Sequence, residues 1–158
     1  MQALGKENMK YTEALAESIK GSFLIDLFET YDVDVIYKYD RTYEGIEDEY
    51  SAEIPEMGLE FMFNKDQKLT TLFMKKVLHT GHNPFSEPDP RLVPFNTYKK
   101  AQEYAQNKSI KVVSNESKYD SFFKGYHAWV KFIYDTHSIH YEFNESGLKM
   151  VTLQLENA

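Results

Sequence analysis

The chain has 158 residues, no cysteine, and 25 acidic against 18 basic side chains, for a formal charge of −7. That length predicts one domain (residues 1–158) with a core held by packing alone, since the lack of cysteine excludes a disulfide framework and any thiolate metal site. An aromatic content of 15% is too high for a disordered chain, and no apolar run approaches a signal peptide or the roughly 20 residues of a membrane span, so a soluble cytoplasmic protein is expected.

Met9, Thr12, Leu15, Ile19, Phe23 and Leu27 recur at spacings of three and four, with Lys10, Glu13, Glu17 and Lys20 on the opposite face. This predicts an N-terminal helix that Gly21 kinks or divides. Its second part, 23–28, is apolar nearly all round and is expected against a sheet, closing at Tyr31-Asp32. Residues 33–36 read equally as a short strand or as an extended entry to the segment that follows. Residues 49–54 alternate weakly and are stopped by Pro55, which has no N–H for a ladder, so an edge strand is expected there. Residues 59–63 and 69–74, separated by the turn-forming 64–68, make the clearest hairpin and the expected centre of the sheet.

From His79 to Pro94, four prolines and Gly81 forbid regular structure. Asn96-Thr97 caps a helix with Tyr98, Ala101, Tyr104 and Ala105 on its buried stripe, ending near Asn107. Residues 110–113 add a short strand. Residues 128–134, 138–143 and 148–154, joined by tight turns, read as a three-stranded meander. The sum is an α+β fold: an antiparallel sheet of about five to six strands with the N-terminal and central helices packed on one face.

The charge is local. Between Asp26 and Glu60 twelve carboxylates face two basic residues, Lys38 and Arg41, for a local charge of −10, so the rest of the chain sums to +3. Tyr31, Tyr37, Tyr39, Tyr43 and Tyr50 are interleaved with those carboxylates. Aromatic anchors among negative charges fit a recognition surface for a basic protein, and the same charges repel nucleic acid and anionic membrane. The expected partner-binding residues are Tyr39, Asp40, Tyr43, Glu44, Glu47, Asp48, Glu49 and Tyr50, with Arg41 orienting the neighbouring carboxylates. Each also has a plainer reading, as a solvated carboxylate or a core tyrosine with its hydroxyl at the rim.

No catalytic or metal motif stands out. His79-x-x-His82 and His137-x-x-His140 have a spacing that sends the two imidazoles to opposite faces of a strand, so no metal or other cofactor is expected. There is no nucleophile elbow, phosphate-binding loop or zinc-protease motif, and the chain is not expected to be an enzyme. The alternative is a small-ligand site or enzyme in which the loop 79–94 covers a pocket lined by His82, Asn83, Asp89 and Arg91, although Asp89-Pro90-Arg91 reads equally as a structural turn.

Several segments carry a resemblance: Tyr39-Asp40-Arg41 with Asp48-Glu49-Tyr50, the strand Gly58-Leu59-Glu60-Phe61-Met62-Phe63, and Gly81-His82-Asn83-Pro84-Phe85 with Asp89-Pro90-Arg91. The ending Trp129-Val130-Lys131-Phe132, His140-Tyr141 and Met150-Val151-Thr152-Leu153-Gln154 belongs with them. Together these are similar to immunity proteins of bacterial polymorphic toxin systems, whether contact-dependent, type VI or colicin-like. The resemblance implies a protein that binds and neutralises a cognate toxin, for example a nuclease whose phosphate-binding cleft is basic. An adaptor or loader for a secreted effector would present the same acidic surface.

Overall fold

The computed structural model describes residues 11–39, 44–77, 81–86, 89 and 91–156. Their elements run α1 (Tyr11–Ala14), α2 (Ser22–Thr30), β1 (Val35–Lys38), β2 (Glu49–Ile54), a 3₁₀ turn (Pro55–Met57), β3 (Leu59–Phe63) and β4 (Leu69–Lys75). Then come α3 (Tyr98–Asn107), β5 (Lys111–Asp120), β6 (Gly125–Ile133), β7 (His137–Asn144) and β8 (Gly147–Leu155). The strands form one antiparallel sheet in the order β1-β2-β3-β4-β8-β7-β6-β5. Two four-stranded meanders are therefore joined where β4 pairs with β8.

This corrects the expected five to six strands flanked by helices: eight strands are present among the described residues, with 45% strand and 19% helix. The two additional strands are the edges. Residues 33–36 were ambiguous because β1 is exposed at all four positions and carries no inward-facing stripe. The short strand expected at 110–113 extends to Asp120, and the polar run Ser114 to Lys118 hid it because an outer strand with solvent on its free side does not need apolar alternation.

The N-terminal helix is also shorter than its periodicity implied. Ala16 takes a positive φ of 71°, and the chain turns there so that Ser18 bridges to Lys68 at the β3–β4 turn. Ala16 N donates to Leu69 O, Leu69 N to Glu17 O, and Ile19 N to Gln67 O. Leu15 and Ile19 still reach the core, so the apolar spacing was satisfied by a bend rather than by a continuous helix. The segment expected as an edge, β2, has its expected bounds but lies inside the sheet, paired with both β1 and β3. The hairpin of β3 and β4 formed as read, while the centre of the sheet is the β4–β8 pair.

Across one face a single row, Val35, Ala52, Phe61, Leu72, Leu153, Ile139, Phe132 and Val112, crosses all eight strands. Six of its residues, Ala52 to Phe132 in that order, are buried. Phe28 of α2 packs edge-on to Phe61 at 5.1 Å, and Tyr104 of α3 stacks on Phe132 at 6.2 Å, so both helices cover this row. The capping expected at α3 is present: Thr97 Oγ1 accepts from Lys100 N at 3.2 Å. Among the described residues no helix is long and apolar enough to cross a membrane.

Gly58 ends the 3₁₀ turn at φ +70°, and a Cβ there would strike the Asn83 carbonyl oxygen and lie 2.9 Å from Phe85 N. Gly58→Ala is expected to cost about 1–3 kcal/mol from the dihedral alone, and more from the clash, read as a lowered urea midpoint at unchanged m.

Candidate functional site

The β1–β2 pair builds the candidate site from its register. Tyr37 stands directly opposite Tyr50, and their rings stack at 4.9 Å and 26°. Tyr39, two residues along from Tyr37, stacks on its ring at 5.7 Å. The Tyr37 hydroxyl donates to Asp48 Oδ2 at 2.7 Å, and this bond pushes the phenol up to about 12. The structure thus brings Tyr39, Asp48 and Tyr50 together through Tyr37, which belonged to the interleaved tyrosines but not to the expected site residues. A period-two reading of residues 35–39 would have found it, since Val35, Tyr37 and Tyr39 share one face.

The remaining acidic members have other neighbours. Glu49 stands across from Lys38, and exposed Glu47 pairs with Lys65 of the β3–β4 turn at 3.3 Å, a solvated contact of little energetic weight. Glu44 is exposed. Asp40, Arg41 and Tyr43 lie outside the described residues. Ile25, Val35, Ile36, Tyr37, Tyr39 and Ile46 are all large apolar or aromatic side chains left exposed in the segment from α2 to β2. The candidate surface is therefore apolar and aromatic at its centre, with carboxylates at its margin.

The loop residues of the alternative site have separate structural tasks. His82, 8% exposed, lies 3.6 Å from Glu53 and 3.4 Å from Lys75 Nζ, and Lys75 also pairs with Glu60 at 3.2 Å. Asn83 N and Nδ2 donate to the carbonyls of Pro55 and Glu56. Asp89 is buried, accepts from Tyr11 N at 2.8 Å and from Arg91 N at 2.9 Å, and so ties the loop to α1. Arg91 completes that tie through Glu13 at 3.0 Å and Thr12 at 3.5 Å. His82 and Asn83 fasten the loop to one corner of the sheet, while Asp89 and Arg91 fasten it to the N-terminal segment. His79 lies outside the described residues.

The uncovered face of the sheet carries polar groups that pattern reading did not assemble. On β6 and β7, His127 Nε2 lies 3.5 Å from Glu142 Oε1 without hydrogen-bond geometry, His140 Nδ1 lies 3.7 Å from Glu142 Oε2, and Trp129 stacks on His140. Phe123 covers His127, ring to ring at 4.0 Å, and Lys149 lies over Phe123 at 3.8 Å. His137 has other neighbours, stacking on Tyr134, so the His137-x-x-His140 pair is divided. Among the described residues no group of three or more His, Asp or Glu side chains is placed to hold a metal ion.

Burial pushes the His140 imidazole below 6.5 against the raising pull of Glu142, and Lys131 and His127 push in the same direction as burial. The folded state therefore resists a proton that the unfolded chain accepts. The contribution of His140 to stability is fully present above pH 6.5 and is lost as pH falls from there through the lowered folded-state value. His137 is shifted in the same direction by burial and Arg91. In urea melts between about pH 7.5 and 5, His140→Gln is expected to flatten the fall in midpoint relative to the parent protein.

Comparison of the chain with protein-family models, with curated protein sequences and with solved structures returns no match.

Proposed function

We propose that this protein is an immunity protein, which binds a cognate bacterial toxin domain in the cytoplasm and blocks it through the acidic, tyrosine-bearing β1–β2 surface. The observation that carries this reading is the stack of exposed Tyr37 and Tyr39 with half-buried Tyr50, held to Asp48. Three stacked rings are a large, rigid contact area whose ordering is already established before binding, which is the character of hot-spot residues. Carboxylates beside them attract the electropositive cleft of a nuclease and speed encounter. Catalysis is not part of the reading, and His82, Asn83, Asp89 and Arg91 serve the fold.

The test is co-expression of the tagged protein with the polypeptide encoded immediately upstream, followed by purification in about 0.5 M salt, where long-range attraction is largely screened. A stoichiometric complex together with rescue of growth from the upstream protein is expected. A complex without rescue would favour an adaptor, and the absence of both complex and rescue would overturn the reading.

A further inference from the structure

The two outer strands of the sheet, as the described residues form it, differ in how they are guarded. Edge strand β5 is guarded: Lys111 and Lys118 are exposed along it, and its register breaks between Ser117 and Asp120. Such charges and irregularities are how native sheets prevent another strand from adding. Edge strand β1, Val35-Ile36-Tyr37-Lys38, has neither proline nor bulge, a single lysine at its end, and no strand beyond it among the described residues. Its middle is apolar, with Ile36 58% and Tyr37 48% exposed.

Beside β1 on the helix-covered side lies a groove of about 300 Å³ lined by Ile19, Ile25, Phe28, Val33 and Val35, with Glu29 and Asp32 at its margin. A strand added to β1 would direct alternate side chains to this side, where the groove takes an apolar one. Glu29 and Asp32 border the groove, Asp48 is bonded to Tyr37, and Glu49 lies across from Lys38 on the opposite face of the strand pair. A second copy of this chain would set these acidic groups against one another, whereas a basic segment would neutralise them.

We propose that β1 accepts an extended segment of a partner protein as a ninth strand, and that this segment alternates apolar residues with lysine or arginine. This rests on the partner-binding reading above. Main-chain hydrogen bonds to β1 supply affinity, the groove selects an apolar side chain, and the acidic margin selects the basic flanks.

The experiment is amide hydrogen exchange of the full chain with a ten-residue peptide alternating valine and lysine. Alternate amides within residues 35–38, those directed away from β2, are expected to slow at least about tenfold at saturation. A peptide with glutamate in place of lysine, or with proline in place of every second valine, is expected not to protect them. Ile36→Lys, which adds an edge guard at an exposed position, is expected to weaken binding about tenfold or more while leaving the melting curve unchanged. Binding of the valine–lysine peptide without protection at 35–38, or no binding up to about 1 mM, would overturn strand addition. The same exchange measured on the co-purified complex separates the two proposals. A complex whose β1 amides exchange at the free rate refutes strand addition and leaves the partner reading standing, whereas no complex refutes the partner reading itself.

Discussion

Reversal of Asp48 and Glu49 to lysine is expected to weaken the complex with the basic partner by about 100-fold or more. That corresponds to the loss of two close charge pairs at about 1.5 kcal/mol each, before any new repulsion is counted. The two carboxylates do different work. Asp48 holds the Tyr37 hydroxyl, so its loss also loosens the tyrosine stack, whereas Glu49 stands opposite Lys38 and acts through charge alone. Asp48→Asn separates these roles: it keeps an acceptor for Tyr37 and is expected to cost less than the reversal. Both side chains are half-exposed and neither belongs to the buried core, so the melting midpoint of each variant is expected to stay near that of the parent. Titration calorimetry gives the affinities, and growth rescue in the presence of the partner gives the consequence. Full affinity with both residues reversed would remove the acidic margin from the site.

Phe61→Ala is expected to destabilise the domain by about 3–5 kcal/mol, roughly a fifth or more of the stability typical for a protein of this size. Phe61 is 0% exposed and lies in the buried row that crosses the sheet, between Ala52 and Leu72, with the ring of Phe28 edge-on above it. Removing the ring leaves a cavity under α2 that neighbours on fixed strands cannot close, so the transfer and cavity costs add. The exposed Phe122, 83% accessible at the tip between β5 and β6, makes the contrast: Phe122→Ser is expected to change stability by about 0.5 kcal/mol or less. Equilibrium urea unfolding reads both. Because Phe61 is adjacent to β2, which carries Tyr50, a partner-binding defect in Phe61→Ala is expected to disappear below the temperature at which the variant unfolds.

The local acidity, the tyrosines among it, the β3–β4 hairpin, the capped helix α3 and the C-terminal meander were legible from residue types and spacing. Each of these is set by interactions between near neighbours in the chain: alternation of Leu59, Phe61 and Phe63, turn chemistry at Asn64, or the Thr97 cap. What spacing alone left open were the edges, because β1 and β5 have one side in solvent and lack the inward stripe that reveals a strand. The 16–19 segment was misread for the reverse reason. Its helical spacing was real, but backbone bonds to Gln67 and Leu69, some fifty residues away, won over the local preference.

The candidate site divides along the same line. Sequence by itself determined its chemistry, carboxylates with tyrosines, since charge and ring content do not depend on the fold. Only tertiary structure decided which residues act together: pairing of Tyr37 with Tyr50 across two strands creates the stack, and docking of α2 beside β1 creates the groove. It also buried Asp89 and tied the exposed Arg91 to the N-terminal segment nearly eighty residues away in the chain. Contacts at that separation depend on how strands are ordered in the sheet, and strand order is fixed by the burial of the whole hydrophobic face rather than by any one segment's pattern.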